Sequence, residues 1–324
     1  MQKAVVGVVR GGPSSEYDIS LLSGAEVLKA LDRDRYEPRD IFISQNGLWH
    51  LGGVEVPIDR ALRGVDVVFN ALHGEYGEDG KIQRLLDMYG VPYTGSGPVP
   101  SAVAFNKHHT RDIAQRLGLK VAQGFVVSPQ DQDEIEADAL RIFNKFSGPW
   151  MVKPAASGSS MGASVAKDFN SLIEGIGHAQ NIAPTVLVEE FIRGREATCG
   201  VIDNFRGEEV YALFPIEIIP PQDDAHWTRT AKYDGSSQEI CPGNFSDSEK
   251  QQLAEFSKAI HKEMALSHYS RSDFIVTPRG IYFLEVNTLP GLTSESLLPK
   301  AVKAAGSTLS DFFTHVIELA RGKK

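Results

Sequence analysis

The chain has 324 residues, long enough for two or three domains with sizeable cores. With 23% charged and 42% hydrophobic residues it reads as an ordinary soluble globular protein. Its 33 Lys plus Arg against 42 Asp plus Glu give a net charge of −9, which argues against a general nucleic-acid or anionic-membrane surface. Only Cys199 and Cys241 occur, so neither a disulfide framework nor a cysteine zinc site is expected. No apolar run reaches the length of a membrane span, and the expected location is the cytoplasm.

Ala4 to Val9 is a near-continuous apolar run, the mark of a central parallel strand. It passes into Gly11-Gly12-Pro13-Ser14-Ser15-Glu16 and then a helical pattern through Leu21, Leu22, Ala25, Leu28 and Leu31. A strand, a Gly-rich turn and a helix N-terminus form a generic anion or substrate site, although the dinucleotide fingerprint is absent. Glu16 is poorly placed for phosphate. It either favours the helix dipole or receives a cationic group such as an ammonium.

Strands over Pro38 to Ser44 and Val65 to Ala71 follow, the second ending in Leu72-His73-Gly74-Glu75-Tyr76-Gly77-Glu78-Asp79-Gly80. Ligands of open parallel sheets bind beyond the carboxyl ends of strands, so His73 falls on the same edge as Glu16. A helix is expected over Lys81 to Tyr89, and Gly95-Ser96-Gly97-Pro98 reads as the exit from a first domain.

A helical segment from Ser101 carries Lys107 through Leu117, and Gly124 to Val127 is a strand. Trp150 to Pro154 is a strand with Lys153 near its end, followed by the small residues Ala155 to Gly162. Small residues let backbone N–H groups close on phosphate oxygens while the lysine supplies charge. Val186 to Ile192 is a strand containing Glu189 and Glu190, and Gly194-Arg195-Glu196 opens another, Ala197 to Ile202. The long polar stretch between Pro220 and Asn244, with Lys232-Tyr233, has the character of a lid. Helices are expected over Gln251 to Met264 and Leu309 to Leu319.

The stretch Gly280 to Ser296 is the most chemically loaded. Ile281 to Val286 is a short strand in which Glu285 and Asn287 share a face at period two. Thr277-Pro278-Arg279-Gly280 is a hairpin turn, which places Arg271 and Asp273 beside Glu285 and Asn287 across an antiparallel pair. Asp, Glu and Asn offer hard oxygen ligands, which suit Mg²⁺ when it also holds phosphate oxygens.

Taken together the motifs Gly-Gly-Pro-Ser-Ser-Glu16, Ala71-Leu72-His73-Gly74 with Gly77-Glu78-Asp79-Gly80, Pro92-Tyr93-Thr94-Gly95-Ser96-Gly97, Lys153-Pro154, Gly158-Ser159-Ser160, Ala231-Lys232-Tyr233 and Leu284-Glu285-Val286-Asn287 through Ser296 resemble the D-alanine–D-alanine ligases of the ATP-grasp superfamily over nearly the whole chain. The resemblance implies an α/β protein in which an N-terminal Rossmann-like parallel-sheet domain (1–98) precedes a two-lobed ATP-grasp fold, with a central subdomain (99–184) and an α+β C-terminal subdomain (185–324). It implies ligation of two D-alanine molecules through an acyl phosphate, with ATP and two Mg²⁺ (or Mn²⁺), in a homodimer. It places Lys107 and Lys153 on the ATP phosphates, Glu189 and the chain after it, Glu190 included, at the adenine, and Glu196 at the ribose, with Ser160 and Lys232 also among the ATP-binding residues. Asp273, Glu285 and Asn287 become the metal ligands, and Arg271 with the Gly291 backbone stabilises the tetrahedral intermediate. Glu16, His73, Ser159, Tyr233, Ser296 and Leu297 shape the amino-acid subsites. Ser157 and Glu295 depart from the family pattern, which has an acid and a histidine there. Another carboxylate–amine ligase of the superfamily, or a non-catalytic nucleotide-binding regulator, stays open at this level.

Overall fold

A computed structural model describes residues 3–156, 158, 161–221 and 237–322. The N-terminal unit runs β1 (Ala4–Gly11), α1 (Tyr17–Ala30), β2 (Tyr36–Ile43), β3 (Trp49–Leu51), β4 (Val54–Glu55), α2 (Ile58–Leu62), β5 (Val67–Asn70) and α3 (Lys81–Met88). Its sheet has the order β4-β3-β2-β1-β5, with β1 parallel to both β2 and β5. The continuous apolar run of β1 is thereby explained, because a central parallel strand is covered on both faces: Val6, Val8 and Val9 are fully buried. The antiparallel edge strands β3 and β4 are an addition that the sequence pattern did not announce.

The helical segment expected from Ser101 to Leu117 is two helices, α4 (Pro98–Phe105) and α5 (Lys107–Arg116). The break is local chemistry. Asn106 takes an extended conformation and its side chain accepts from the amides of His108 (3.0 Å) and His109 (3.3 Å), an N-cap that restarts the helix. Lys107 thus becomes the first residue of a helix, where the dipole disfavours a cation.

The central unit adds β6 (Gly124–Val127), α6 (Gln132–Lys145), β7 (Trp150–Pro154), β8 (Ser164–Ala166), α7 (Phe169–Gln180) and β9 (Val186–Glu190). Its antiparallel sheet has the order β6-β9-β7-β8 over a core of its own around Trp150, Ile142, Leu172 and Val188. Because β9 pairs with β6 and β7, the central sheet takes in the chain as far as Glu190, past the division expected at 184.

The C-terminal unit comprises β10 (Arg195–Phe205), β11 (Glu208–Ala212), β12 (Ile216–Ile219), β13 (Gln238–Ile240), α8 (Asp247–Glu263), β14 (Tyr269–Thr277), β15 (Gly280–Asn287), α9 (Leu297–Ala304) and α10 (Leu309–Ala320). The sheet order is β13-β12-β10-β14-β15, with β11 on β10. One face packs on α8. The other joins the N-terminal unit in a single core in which Phe69 of β5 meets Phe313 of α10 edge-on at 5.2 Å, with Leu289, Leu292 and Leu297 in the same cluster. Each fully buried side chain of this size contributes about 1.5–3 kcal/mol, so the loop after β15 is anchored by apolar packing against the N-terminal sheet. Among the described residues no helix is long and apolar enough to cross a membrane.

Candidate active site

The β14–β15 hairpin forms in the expected register: Arg271 lies opposite Asn287 and Asp273 opposite Glu285. Immediately after that pair the register slips by one residue on β15, leaving Leu284 as the extra residue. Such a bulge re-aims a side chain, and Leu284 lines a cavity on the hairpin.

Asp273 is 8% exposed and heavily bonded. Arg271 grips it with Nε (2.9 Å) and Nη2 (2.8 Å), Thr198 Oγ1 donates at 2.6 Å, and the Asn287 amide donates at 3.0 Å. Thr198 is its register partner on β10. Glu285 pairs with Lys107 Nζ at 3.1 Å, which offsets the unfavourable position of that lysine at a helix start. Deeper in the cleft Glu189, only 4% exposed, receives Lys153 Nζ at 2.5 Å on one oxygen and Arg111 Nη1 at 3.0 Å on the other. Glu190 points the other way to Arg279, at 3.0 Å on the surface.

Two cavities meet here. The smaller, about 330 Å³, is an apolar slot with Met151, Phe191, Ile192 and Leu284 in its wall and Lys153, Glu189, Glu190, Glu196 and Asp273 around it. The larger, about 820 Å³, opens between the N- and C-terminal units and is lined by Glu16, His73, Glu78, Arg271, Asn287, Gly291, Ser296 and Leu297. Lys107 and Glu285 line both.

On the N-terminal side Glu16 occupies the N-cap position of α1, yet its side chain makes no cap bond there. It is buried and nestles against two glycines: a Cβ at Gly74 would lie 2.7 Å from Glu16 Oε2, and one at Gly158 would collide with the same oxygen. Gly74 also has φ of +68°, so two constraints require glycine there. Ser14 Oγ donates to the His73 carbonyl at 2.6 Å and joins the two loops.

His73 is buried, which lowers its pKa despite the nearby charge of Glu16. Both ring nitrogens are engaged within the protein: Nδ1 donates to the Leu289 carbonyl at 2.9 Å and Nε2 accepts from Ser23 Oγ at 2.7 Å. Glu78 accepts from the Gly74 amide at 2.8 Å, and burial, reinforced by Glu16, pushes its pKa up. Ser296 Oγ shares a hydrogen bond with Thr293 Oγ1 at 2.8 Å.

The expected site residues that can be placed therefore all line one or both cavities. Ser159, Ser160, Lys232 and Tyr233, with Ser157, lie outside the described residues. Glu295 also lines the larger cavity, where it pairs with Lys300 at 3.3 Å. Sequence reasoning missed Arg111, Thr198, Ser23 and the buried Glu78. Arg111 had a usable signal, lying four residues after Lys107 on one helix face. Thr198 had none, because its contact depends on strands 75 residues apart.

A divalent cation suits the donor set. Among the described residues no group of three or more His, Cys, Asp or Glu forms a closed metal cage. Two carboxylates and one amide oxygen are an incomplete shell, which is how Mg²⁺ is held when phosphate oxygens and water complete it. Lys107 and Arg271 beside those carboxylates fit the same anion-rich occupant.

The family model described as "D-ala D-ala ligase C-terminus" matches residues 113–318, and the "D-ala D-ala ligase N-terminus" model matches 5–61 and 55–96. The chain is 36% identical to the D-alanine–D-alanine ligase of Flavobacterium johnsoniae over 97% of its length and 98% of the relative. It is 33% identical to that of Streptomyces avermitilis over 98% of its length and 94% of the relative. Among solved structures it superposes on the D-alanine–D-alanine ligase from Coxiella burnetii with a TM-score of 0.85, 27% identity and coverage of 99% and 95%. The VanG D-Ala:D-Ser ligase from Enterococcus faecalis gives the same TM-score and identity, with coverage of 98% and 100%. On full-length sequence identity, domain matches and fold alike, the chain belongs to the D-alanine–D-alanine ligase family.

Proposed function

We propose that this protein joins two molecules of D-alanine, at the expense of ATP, into D-alanyl-D-alanine, ADP and phosphate for peptidoglycan precursor synthesis. The observation that carries the reading is the pair Lys107–Glu285, which stands where an apolar nucleotide-sized slot opens into the cavity holding Glu16 and Arg271. A phosphoryl group leaving a nucleotide in the slot is delivered at that junction to a carboxylate in the larger cavity.

In the first step a carboxylate oxygen of the first D-alanine forms a bond to the γ-phosphorus as the bond to the ADP oxygen breaks. Two anions must approach, so Lys107, Lys153 and Arg271 screen the charge. Asp273, Glu285 and Asn287 would hold two Mg²⁺ ions, which would supply further charge neutralisation at the phosphates. Glu16 receives the ammonium of the first D-alanine, and Glu196 the nucleotide ribose. In the second step the amine of the second D-alanine, having lost a proton, bonds to the acyl carbon and phosphate departs with the C–O bond. Arg271 and the Gly291 N–H stabilise the oxyanion between these events. Ser296 and Leu297 border the second subsite. The cytoplasm, where ATP is available, is the proposed compartment, and a homodimer the proposed assembly.

We also divide the chain into three units at about 98 and 190, the second limit following the end of the central sheet. The functional test is product identification after incubation with ATP, Mg²⁺ and D-alanine alone or mixed with D-serine, D-lactate or L-amino acids. Dipeptide from D-alanine alone is the expected result. ATP turnover only with D-serine or D-lactate as second substrate would overturn the assignment.

A further inference from the structure

The loop from Thr288 to Ser296 follows directly on the Asn287 end of β15 and carries Gly291. A Cβ at Gly291 would lie 2.8 Å from Ser296 Oγ, so a larger residue there would displace the serine hydroxyl. Glycine is also the residue least able to fix its own peptide plane, while an N–H that stabilises a developing oxyanion must be preorganised. Its direction has to be set from outside.

The N-terminal unit sets it at both ends of the Pro290-Gly291 dipeptide. On one side the Leu289 carbonyl accepts from His73 Nδ1 at 2.9 Å. On the other, the Leu292 amide donates to Ser23 Oγ at 3.2 Å. The two grips are one unit, since Ser23 Oγ donates to His73 Nε2 at 2.7 Å. Burial keeps His73 neutral, so one ring nitrogen donates and the other accepts. Proline fixes its own φ between the grips, which leaves the Gly291 plane little latitude. Ser23 is fully buried on α1, the helix whose N-cap position is Glu16.

We propose that Ser23 is a positioning residue for the second half-reaction: through the Leu292 amide and His73 it holds the Gly291 N–H toward the oxyanion that forms when the second amine attacks the acyl carbon. It touches no substrate. One helix then seats the first amino acid through Glu16 and, two turns later, aims the donor that stabilises its tetrahedral adduct. This inference rests on the ligase reading above.

The consequence is a change of partition. With the oxyanion donor misaligned, amine attack slows while phosphoryl transfer does not, and the acyl phosphate is left to water, which bonds to phosphorus as the P–O bond to the acyl oxygen breaks, returning D-alanine carboxylate and phosphate by a route that forms no acyl oxyanion. Ser23→Ala and the near-isosteric Ser23→Cys are expected to lower the dipeptide kcat by about 10–100-fold, below the full loss of an oxyanion donor. They should leave the KM for ATP unchanged and release several phosphates per dipeptide. Ser23→Thr keeps the hydroxyl and should restore a ratio near one. Phosphate and dipeptide are measured in the same reaction, and thermal melts confirm folding. A ratio of one in folded Ser23→Ala or Ser23→Cys would overturn the proposal, as would loss of fold in both, which would make the residue purely structural. Failure of the unsubstituted protein to make dipeptide would instead remove the functional reading itself.

Discussion

Replacing Glu189 by glutamine separates two roles that one carboxylate could have. If Glu189 contacts the nucleotide, its loss weakens ATP alone. In the structure both of its oxygens are taken, by Lys153 at 2.5 Å and Arg111 at 3.0 Å, and the three side chains are 6%, 13% and 9% exposed respectively. The amide is nearly isosteric but removes the only negative charge from that contact, leaving two poorly hydrated cations side by side. Breaking a buried ion pair by removing one partner costs about 3–5 kcal/mol. At about 2–4 °C per kcal/mol the free protein should melt of the order of 10 °C lower. Nucleotide phosphates return negative charge to Lys153, so saturating ATP should stabilise the variant more than the parent and narrow the gap. Thermal melts with and without ATP, alongside KM values for ATP and D-alanine, make the measurement. An unchanged melting temperature in the free variant combined with a raised KM for ATP would refute the reasoning, since the carboxylate would then be serving the nucleotide and not the lysine.

Glu285→Gln should keep the fold but lose the charge that holds a cation at the phosphates; several kcal/mol of transition-state stabilisation correspond to a fall in kcat of about 10³-fold. Near-normal turnover at ordinary Mg²⁺ concentrations would remove Glu285 from the metal site. His268 predicts an acid limit to stability: its Nδ1 accepts from the Gly95 amide at 3.0 Å across the N- and C-terminal units, and burial lowers its pKa from 6.5 to about 4, with His261 and His315 adding to the effect and Asp203 opposing it. The unfolded chain takes up this proton below 6.5 and the folded one does not until about 4, so the stabilisation is complete above 6.5 and gone below 4, about 3 kcal/mol in all. Denaturant unfolding at pH 7 and pH 4.5 should show the loss, and His268→Asn, which tolerates the positive φ of this position and keeps an acceptor, should flatten it; an equal slope in the variant would assign the effect elsewhere.

Much of the site was legible because it is local. Arg271, Asp273, Glu285 and Asn287 converge through one hairpin whose turn and period-two pattern are written in consecutive residues, and the observed register agrees with that reading. The first parallel strand, the Gly-rich turn and the α1 start were legible for the same reason. What could not be read is set by distant chain. Thr198 reaches Asp273 only through the β10–β14 pairing, and the fusion of the N- and C-terminal cores around Phe69 and Phe313 depends on where the last helix docks. The split of a continuous helical pattern at Asn106 was legible in principle, since an asparagine before a charged residue is a cap signal, but apolar periodicity alone runs straight through it. His73 shows where motif reading stops: it lines the larger cavity, and both of its ring nitrogens also hold protein atoms, contacts that no motif announces.

That engagement of His73 bears on how one cleft serves two consecutive reactions. The proposed cation ligands end at Asn287, and two residues later Leu289 is already in the grip of the N-terminal unit. In the proposed reaction phosphoryl transfer draws on charge concentrated at Lys107, Arg271 and Glu285. Acyl transfer needs an N–H fixed a few ångströms away. A loop anchored only by β15 would move with every adjustment of the ligands on that strand. Pinning its far side to α1 and to the turn after β5 separates the two requirements, so that the acyl-transfer donor is referenced to the same helix that presents Glu16. The buried apolar contacts of Leu289 and Leu292 anchor the loop, but apolar packing is non-directional, and the hydrogen bonds through Ser23 and His73 specify which way the intervening peptide planes face.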